Sequence, residues 1–347
     1  MISSSEGDKG RVVTPADVQK RKERVALLSV ISNSTLVIIK LIVGLVIGSV
    51  SVISEAIHSG VDLLAAVIAL FSVKTSSLPA DGRHPFGHGK IENISGSIEA
   101  LLIFVAAGWI VWEAIGKLLD PRPLDTAGWG VVVMLVSAAA NTFVAGRLFK
   151  VGKETDSIAL MADGWHLRTD VYTSIGVMAG LAVIWIAHLL LPDPNIDWID
   201  PVAAIGVAFL IIKAAWDLTR QSAGGLMDET LPPEEDEEIR QLIRSQLPAV
   251  HGFHQLRTRK AGPFRFIEVH IQVAAKMSVG TAHRLNQELV KRIRERFRNA
   301  TVTVHTEPCD GTCPEKCLAG CILTEEERTR IRQTAAESPG TATGIPE

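Results

Sequence analysis

Two pairs of residues carry the most specific chemistry in this 347-residue chain. His58 and Asp62 stand four apart in the run His58-Ser59-Gly60-Val61-Asp62, and His166-Leu167-Arg168-Thr169-Asp170 repeats the arrangement. On a helix, residues i and i+4 share a face, so each pair aims an imidazole and a carboxylate the same way. Together they supply two nitrogen and two oxygen ligands, enough for a tetrahedral, borderline-soft divalent cation such as Zn²⁺. One such pair could simply cap a helix or hydrogen-bond a neighbour. Two matched pairs, each inside an apolar stretch where ionisable groups are costly, point to a function.

Other ligand-type residues gather towards the C-terminus. His270 alternates with Ile267, Val269, Ile271 and Val273, so it occupies the polar face of a strand; His305 and Glu307 share one face of a later strand by the same parity. The four cysteines, Cys309, Cys313, Cys317 and Cys321, recur every fourth residue. That is not the two-residue spacing of a zinc ribbon, and Gly311, Pro314 and Gly320 break any continuous helix through them. The run reads either as a soft-metal or redox site or as a flexible thiol-bearing tail, in a reducing compartment.

The elements that must position these groups are apolar and long. Hydrophobic residues make up 47% of the chain against 21% charged, and they fall in six blocks: Val25–Leu45, Val50–Val73, Ile98–Leu119, Trp129–Phe149, Ile158–Leu191 and Pro201–Leu218. Each can cross roughly 30 Å of hydrocarbon as a helix. Lys20, Arg21, Lys22 and Arg24 precede the first; Lys74, Arg83 and Lys90 lie between the second and third; Arg147, Lys150 and Lys153 follow the fourth, and Arg220 the sixth. The other connections are poor in cations, Pro192–Asp200 being acidic, so the positive-inside rule puts both termini in the cytoplasm. The second helix then runs inward and the fifth outward, which brings both His–Asp pairs close to mid-membrane. Asn33 and Asn141 lie within spans too, where interhelical hydrogen bonding accounts for them.

Beyond the sixth span the chain changes character. Gly224-Gly225 and Leu231-Pro232-Pro233 read as a linker and Glu234–Gln246 as a charged amphipathic helix. Phe253–Arg259 and Phe264–Val273 read as strands about a Gly262-Pro263 turn. A helix with Leu285, Leu289, Ile293 and Phe297 on one stripe and a strand at Val302–Glu307 complete a small α+β unit. The predicted organisation is a cytoplasmic segment over 1–23, six transmembrane helices over 24–222, a ferredoxin-like α+β domain over 223–308 and a cysteine-bearing tail over 309–347, disordered from Ser338. No signal-peptide core precedes the first span. The formal net charge of −3 gives nucleic acid no electrostatic footing.

From about Arg24 to Pro308 the chain resembles the cation diffusion facilitator family of metal exporters. The resemblance is carried by Ser54-Glu55-Ala56-Ile57-His58 through Asp62, His84-Pro85-Phe86-Gly87-His88-Gly89-Lys90, Ala162-Asp163-Gly164-Trp165-His166 through Asp170, Leu256-Arg257-Thr258-Arg259, Gly262-Pro263, and Val304-His305-Thr306-Glu307-Pro308. It implies a homodimer in a membrane, here the inner membrane of a prokaryote, that moves metal against protons. It also implies a transport site at His58, Asp62, His166 and Asp170. Family members with His in that quartet favour zinc, so the resemblance implies Zn²⁺ as cargo, with Co²⁺ and Cd²⁺ as further cargo and Fe²⁺ fitting less well.

The same resemblance implies a second metal site at Asp81, His84 and His88. It places a regulatory Zn²⁺ site in the cytoplasmic domain at His254, His270, His283, His305 and Glu307, and a charged interlock between protomers at Lys90 and Asp228. Two other classes fit the residues less well. A membrane metalloenzyme would need an open coordination position, a general base and a cleft, whereas the quartet can fill a coordination sphere. A membrane-anchored metal sensor would have no use for ligands at mid-membrane.

Overall fold

The computed structural model describes residues 14–47, 50–119, 128–190, 198–246, 248–297, 299–309, 311, 313 and 315–336. The polar first residues, most of the acidic Pro192–Asp200 connection and the disorder expected from Ser338 onwards lie outside the described residues. The chain divides into two compact units, Met1–Met227 and Asp228–Glu347.

The first unit is helical: α1 (Pro15–Ile47), α2 (Val50–Ser76), α3 (Lys90–Leu119), α4 (Gly128–Thr155), α5 (Ile158–Leu190) and α6 (Ile199–Leu226). Among the described residues, Pro15–Val46, Ala56–Ser76, Lys90–Leu119 and Pro201–Leu226 are each long and apolar enough to cross a membrane. α1 starts ten residues before the apolar block predicted for it. Thr14 caps it, its Oγ1 accepting from Asp17 N at 3.2 Å while Asp17 Oδ2 accepts from Thr14 N at 3.1 Å, a reciprocal box.

α3 likewise begins at Lys90 rather than Ile98, because the polar residues of its first turns are buried among partners. Glu92 is fully enclosed and accepts from Lys22 Nζ at 2.6 Å, Ser76 Oγ at 2.9 Å and Ser157 Oγ at 2.7 Å. This carboxylate ties α1, α2, α3 and the α4–α5 corner together. A buried carboxylate is tolerated when its lone pairs are filled and its charge paired.

Gly224-Gly225 is not a linker: α6 runs through it to Leu226. Any side chain at Gly225 would collide with Asn93, whose Nδ2 donates to Ser222 O at 3.3 Å. Gly96 of α3 likewise leaves no room for a Cβ beside Ser222 and Ile158. Small residues let α3 and α6 approach closely, the usual means of packing helices in lipid.

The second unit follows the predicted order: α7 (Pro233–Arg244), β1 (Gly252–Ala261), β2 (Phe264–Ala274), α8 (Val279–Arg296) and β3 (Ala300–Cys309). The sheet order is β1-β2-β3, with β1–β2 antiparallel and β2–β3 parallel. Ile239 and Ile243 of α7 and Leu289 and Ile293 of α8 pack with Ile267, Val269 and Ile271 of β2 in one core. The helices therefore cover one face of the sheet and leave the His270 face uncovered by them.

The chain past Pro308 is not simply a tail. It forms α9 (Glu315–Ala319) and α10 (Glu325–Ala336), and Phe253 N donates to Gly320 O at 3.0 Å while Ile322 N donates to His251 O at 2.9 Å. Those bonds cover part of the outer edge of β1, which would otherwise present unpaired backbone groups. Ile322 packs against the core of the unit.

Candidate metal centre

α2 and α5 pack together and bring the two His–Asp pairs face to face. His166 Nε2 lies 3.1 Å from Asp62 Oδ1, and His58 Nε2 lies 4.0 Å from Asp170 Oδ1. One ligand atom each from His58, Asp62 and Asp170 falls within 4.8 Å of the others. Asp62 and His166 are buried, whereas the His58 side chain is 53% exposed, so the cluster is open on the His58 side. The other ring nitrogen of His166, Nδ1, is buried without a partner, leaving Nε2 as the nitrogen turned to the cluster.

Three further ionisable side chains lie deep in this unit and were not singled out from the sequence. Glu99 and Asp163 are fully buried, Asp163 beside the Ser29 hydroxyl, and Glu99 Oε2 lacks a hydrogen-bond partner. Lys40 of α1 donates to Ser59 Oγ at 2.8 Å, one residue from His58. Each sits inside an apolar block, and an ionisable residue in such a block was itself the available signal.

In the α2–α3 loop, Asp81 Oδ1 accepts from the backbone N–H of His84 at 2.6 Å and of Arg83 at 2.8 Å, a local turn that fixes the carboxylate. Those same bonds, first from His84 and then from Arg83, hold Asp81 below the usual carboxylate range. His84 Nδ1 and His88 Nε2 lie 3.2 and 3.4 Å from its two oxygens, and the three form a ligand-sized cluster. Gly87, at φ 82°, makes the reversal that brings His88 back.

In the second unit, the register sets His254 opposite His270 and His270 opposite His305. Glu307 receives His270 Nδ1 at 2.7 Å and His254 Nε2 at 2.8 Å, and these three also form a ligand-sized cluster. Burial alone would raise the Glu307 carboxyl, but the bonds from His270 and His254 outweigh it and hold it low. His305 Nε2 stands further off, 3.8 Å from Glu307 Oε1. A bulge between His254 and Arg257 turns β1 beside this cluster.

His283 does not join it. It lies on α8, which covers the opposite face of the sheet, and its Nε2 is 3.0 Å from Gln287 Nε2. Of the expected interlock, Lys90 Nζ donates to Leu226 O at 3.1 Å, and Asp228 Oδ1 accepts from Arg259 at 3.1 Å.

A bundle of apolar helices with ligand-type residues at its interior, joined to an α+β unit, defines a multi-pass membrane protein built to handle cations. The sequence matches the profile of the cation efflux transmembrane domain over residues 26–227 and that of the cation efflux protein cytoplasmic domain over residues 231–309. The chain belongs to this family, the cation diffusion facilitators, and its general activity is divalent-metal efflux. An uncharacterized transporter of Synechocystis is 38% identical over 263 residues, 76% of this chain and 83% of that protein. The cation-efflux pump FieF of Citrobacter koseri is 30% identical over 288 residues, 82% and 92% of the two chains. Among solved structures, the zinc form of CzrB is 40% identical, covering 23% of this chain and 92% of that one with a TM-score of 0.23. The metal-bound C-terminal domain of the CzcD transporter from Thermotoga maritima is 33% identical, covering 22% and 94%, with a TM-score of 0.21.

Proposed function

We propose that this protein exports Zn²⁺ from the cytoplasm in exchange for protons, with His58, Asp62, His166 and Asp170 as the ligands of the moving ion. The observation that supports this most directly is the convergence of the two pairs, at 3.1 and 4.0 Å, across α2 and α5. Two imidazoles and two carboxylates suit Zn²⁺, and all four must shed protons to bind it. Imidazole changes charge near neutral pH, so proton binding and metal binding compete over the range a cell offers. In the inward-facing state Zn²⁺ displaces protons; in the outward-facing state protons displace Zn²⁺.

In this reading both termini face the cytoplasm, the membrane is a prokaryotic inner membrane and the working form is a homodimer. His254, His270, His305 and Glu307 bind regulatory Zn²⁺. His283, on α8 across the sheet from them, belongs to the same regulatory set at the dimer interface. Asp81, His84 and His88 form a separate loop site, and Lys90 and Asp228 act between protomers.

The test is flux in reconstituted proteoliposomes, with a Zn²⁺ indicator and a pH indicator read together. The expected result is Zn²⁺ movement with opposite proton movement, both lost in Asp62→Ala and in Asp170→Ala while the protein stays folded. Zn²⁺ flux unchanged in either variant would sink the assignment of the quartet. Flux of Co²⁺, Cd²⁺ or Fe²⁺ in clear preference to Zn²⁺ would overturn the choice of cargo.

A further inference from the structure

The family match stops at Cys309, so Cys313, Cys317, Cys321 and both helices that follow lie beyond it. Folding nevertheless gathers all four cysteines at one end of the sheet. Cys309 ends β3 opposite Ala274 of β2. The Cys317 thiol donates to Gln272 Oε1 of β2 at 3.0 Å. Gln272 pairs with Gly252 of β1, and Gly252 bridges to Cys321, whose Sγ lies 3.9 Å from His251 O. Cys313 Sγ is 3.4 Å from Gly311 O, which also accepts from Arg332 Nε of α10 at 2.9 Å.

The every-fourth spacing becomes a cluster because the chain turns between the cysteines instead of continuing as a helix. Gly311 takes φ 81°, and a side chain there would meet Arg332. Gly320 lies so close to the backbone of Phe253 that no side chain could be accommodated. Both glycines are therefore required by the same fold that collects the thiols.

We propose that Cys309, Cys313, Cys317 and Cys321 bind one Zn²⁺-like cation as a tetrathiolate, and that this ion staples the C-terminal extension to the edge of the sheet. Four thiols and no disulfide are the donor set of a closed, structural zinc site. Cys313 already lies beside Cys317, but among the described residues no three of the four sulfurs fall within 4.8 Å of one another, as the ligand atoms of the His and Asp clusters do. A single χ1 rotamer change moves a cysteine sulfur by about 3 Å, so closure needs little backbone movement. The Arg332 guanidinium bonds to Cys313 and places a positive charge next to what would be a doubly negative tetrathiolate centre. Thiolate, not thiol, is the ligand, so metal binding releases protons.

Cys309 follows Glu307 by two residues on one strand face, and Gln272 follows His270 by two on the neighbouring strand. The thiol centre therefore stands about 7 Å along the same sheet face from the His254–His270–Glu307 cluster, two residues of strand rise. A soft-metal centre there would brace the strands that hold that cluster.

The experiment uses full-length, reduced protein in detergent, with Co²⁺ as probe. Thiolate-to-Co²⁺ charge-transfer absorption should grow to one equivalent per chain and persist in His254→Ala/His270→Ala, which removes the neighbouring ligands. It should vanish in Cys317→Ser/Cys321→Ser. Because that variant could unfold the extension, wild-type thiol alkylation is followed by mass spectrometry with and without stoichiometric Zn²⁺. All four cysteines should react at least about ten-fold more slowly with metal, since a ligated thiolate is no longer a free nucleophile. Absence of charge-transfer absorption, or alkylation rates unaffected by Zn²⁺, would overturn the proposal. So would a disulfide among these four that persists under reducing conditions.

Discussion

Removing Lys22 should be among the most destabilising single changes in the helical unit. Its Nζ lies 2.6 Å from Glu92 Oε1, with side-chain exposures of 4% and 0%. At an effective dielectric of about 20, 332/(20 × 2.6) gives an attraction of about 6 kcal/mol, most of it offset by desolvation of the two charges. Lys22→Met keeps the length and the packing but strands a buried carboxylate, and the expected loss is about 3–5 kcal/mol. Lys22→Met/Glu92→Met removes both charges and leaves only the Ser76 and Ser157 hydroxyls to find other partners, so it should cost less than Lys22→Met alone. The measurement is equilibrium unfolding in mixed micelles of rising SDS fraction, followed by far-ultraviolet circular dichroism. A double variant whose loss equals the sum of the two singles would refute the reasoning, as would a Lys22→Met loss below about 1 kcal/mol. Because Glu92 also grips Ser76 at the end of α2 and Ser157 at the start of α5, the helices bearing the quartet, folded Lys22→Met protein should transport more slowly than wild type.

Three other outcomes are expected. His166→Asp, and more weakly His58→Asp, should reduce Zn²⁺ uptake and raise relative Mn²⁺ or Cd²⁺ uptake in competition under one pH gradient, since carboxylate oxygen suits Mn²⁺ better than imidazole does; unchanged ratios in both variants would contradict a selecting role for the imidazoles. His270→Ala/His305→Ala should lower the Zn²⁺ stoichiometry of the cytoplasmic unit, by equilibrium dialysis, with residual flux retained; undiminished binding would count against that cluster. Burial holds the His251 imidazole below its ordinary pKa, so the unfolded chain takes up the proton more readily and stability falls as pH drops through about 6.5; His251→Gln should flatten that dependence in thermal unfolding of the second unit, and an unaltered pH profile would exclude His251 as its source.

Local pattern and tertiary placement divide the molecule between them. The apolar blocks, the alternation in Phe264–Val273 and the stripe Leu285, Leu289, Ile293 and Phe297 were legible because burial follows the period of the backbone, which short stretches of chain display by themselves. The two His–Asp pairs stood out for the same reason, as an i, i+4 spacing repeated in two apolar segments. That parity sets His270 on the polar face of its strand and His305 with Glu307 on one face of theirs, since alternation is a property of each strand.

Lys90–Ser97 did not look like part of a span, because its Glu92 is favourable there only once Lys22, Ser76 and Ser157 arrive from elsewhere in the chain. Gly224-Gly225 looked like a break because nothing local announces that Asn93 fills the space above it. His283 shares the chemistry of its neighbours but falls on the helix side of the sheet, which the packing of α8 decides. The cysteines show most clearly where local reading ends: a spacing of four says nothing of where the sulfurs meet. Gly311, Gly320 and the edge of β1 determine that, because close backbone approach and edge pairing are relations between distant segments.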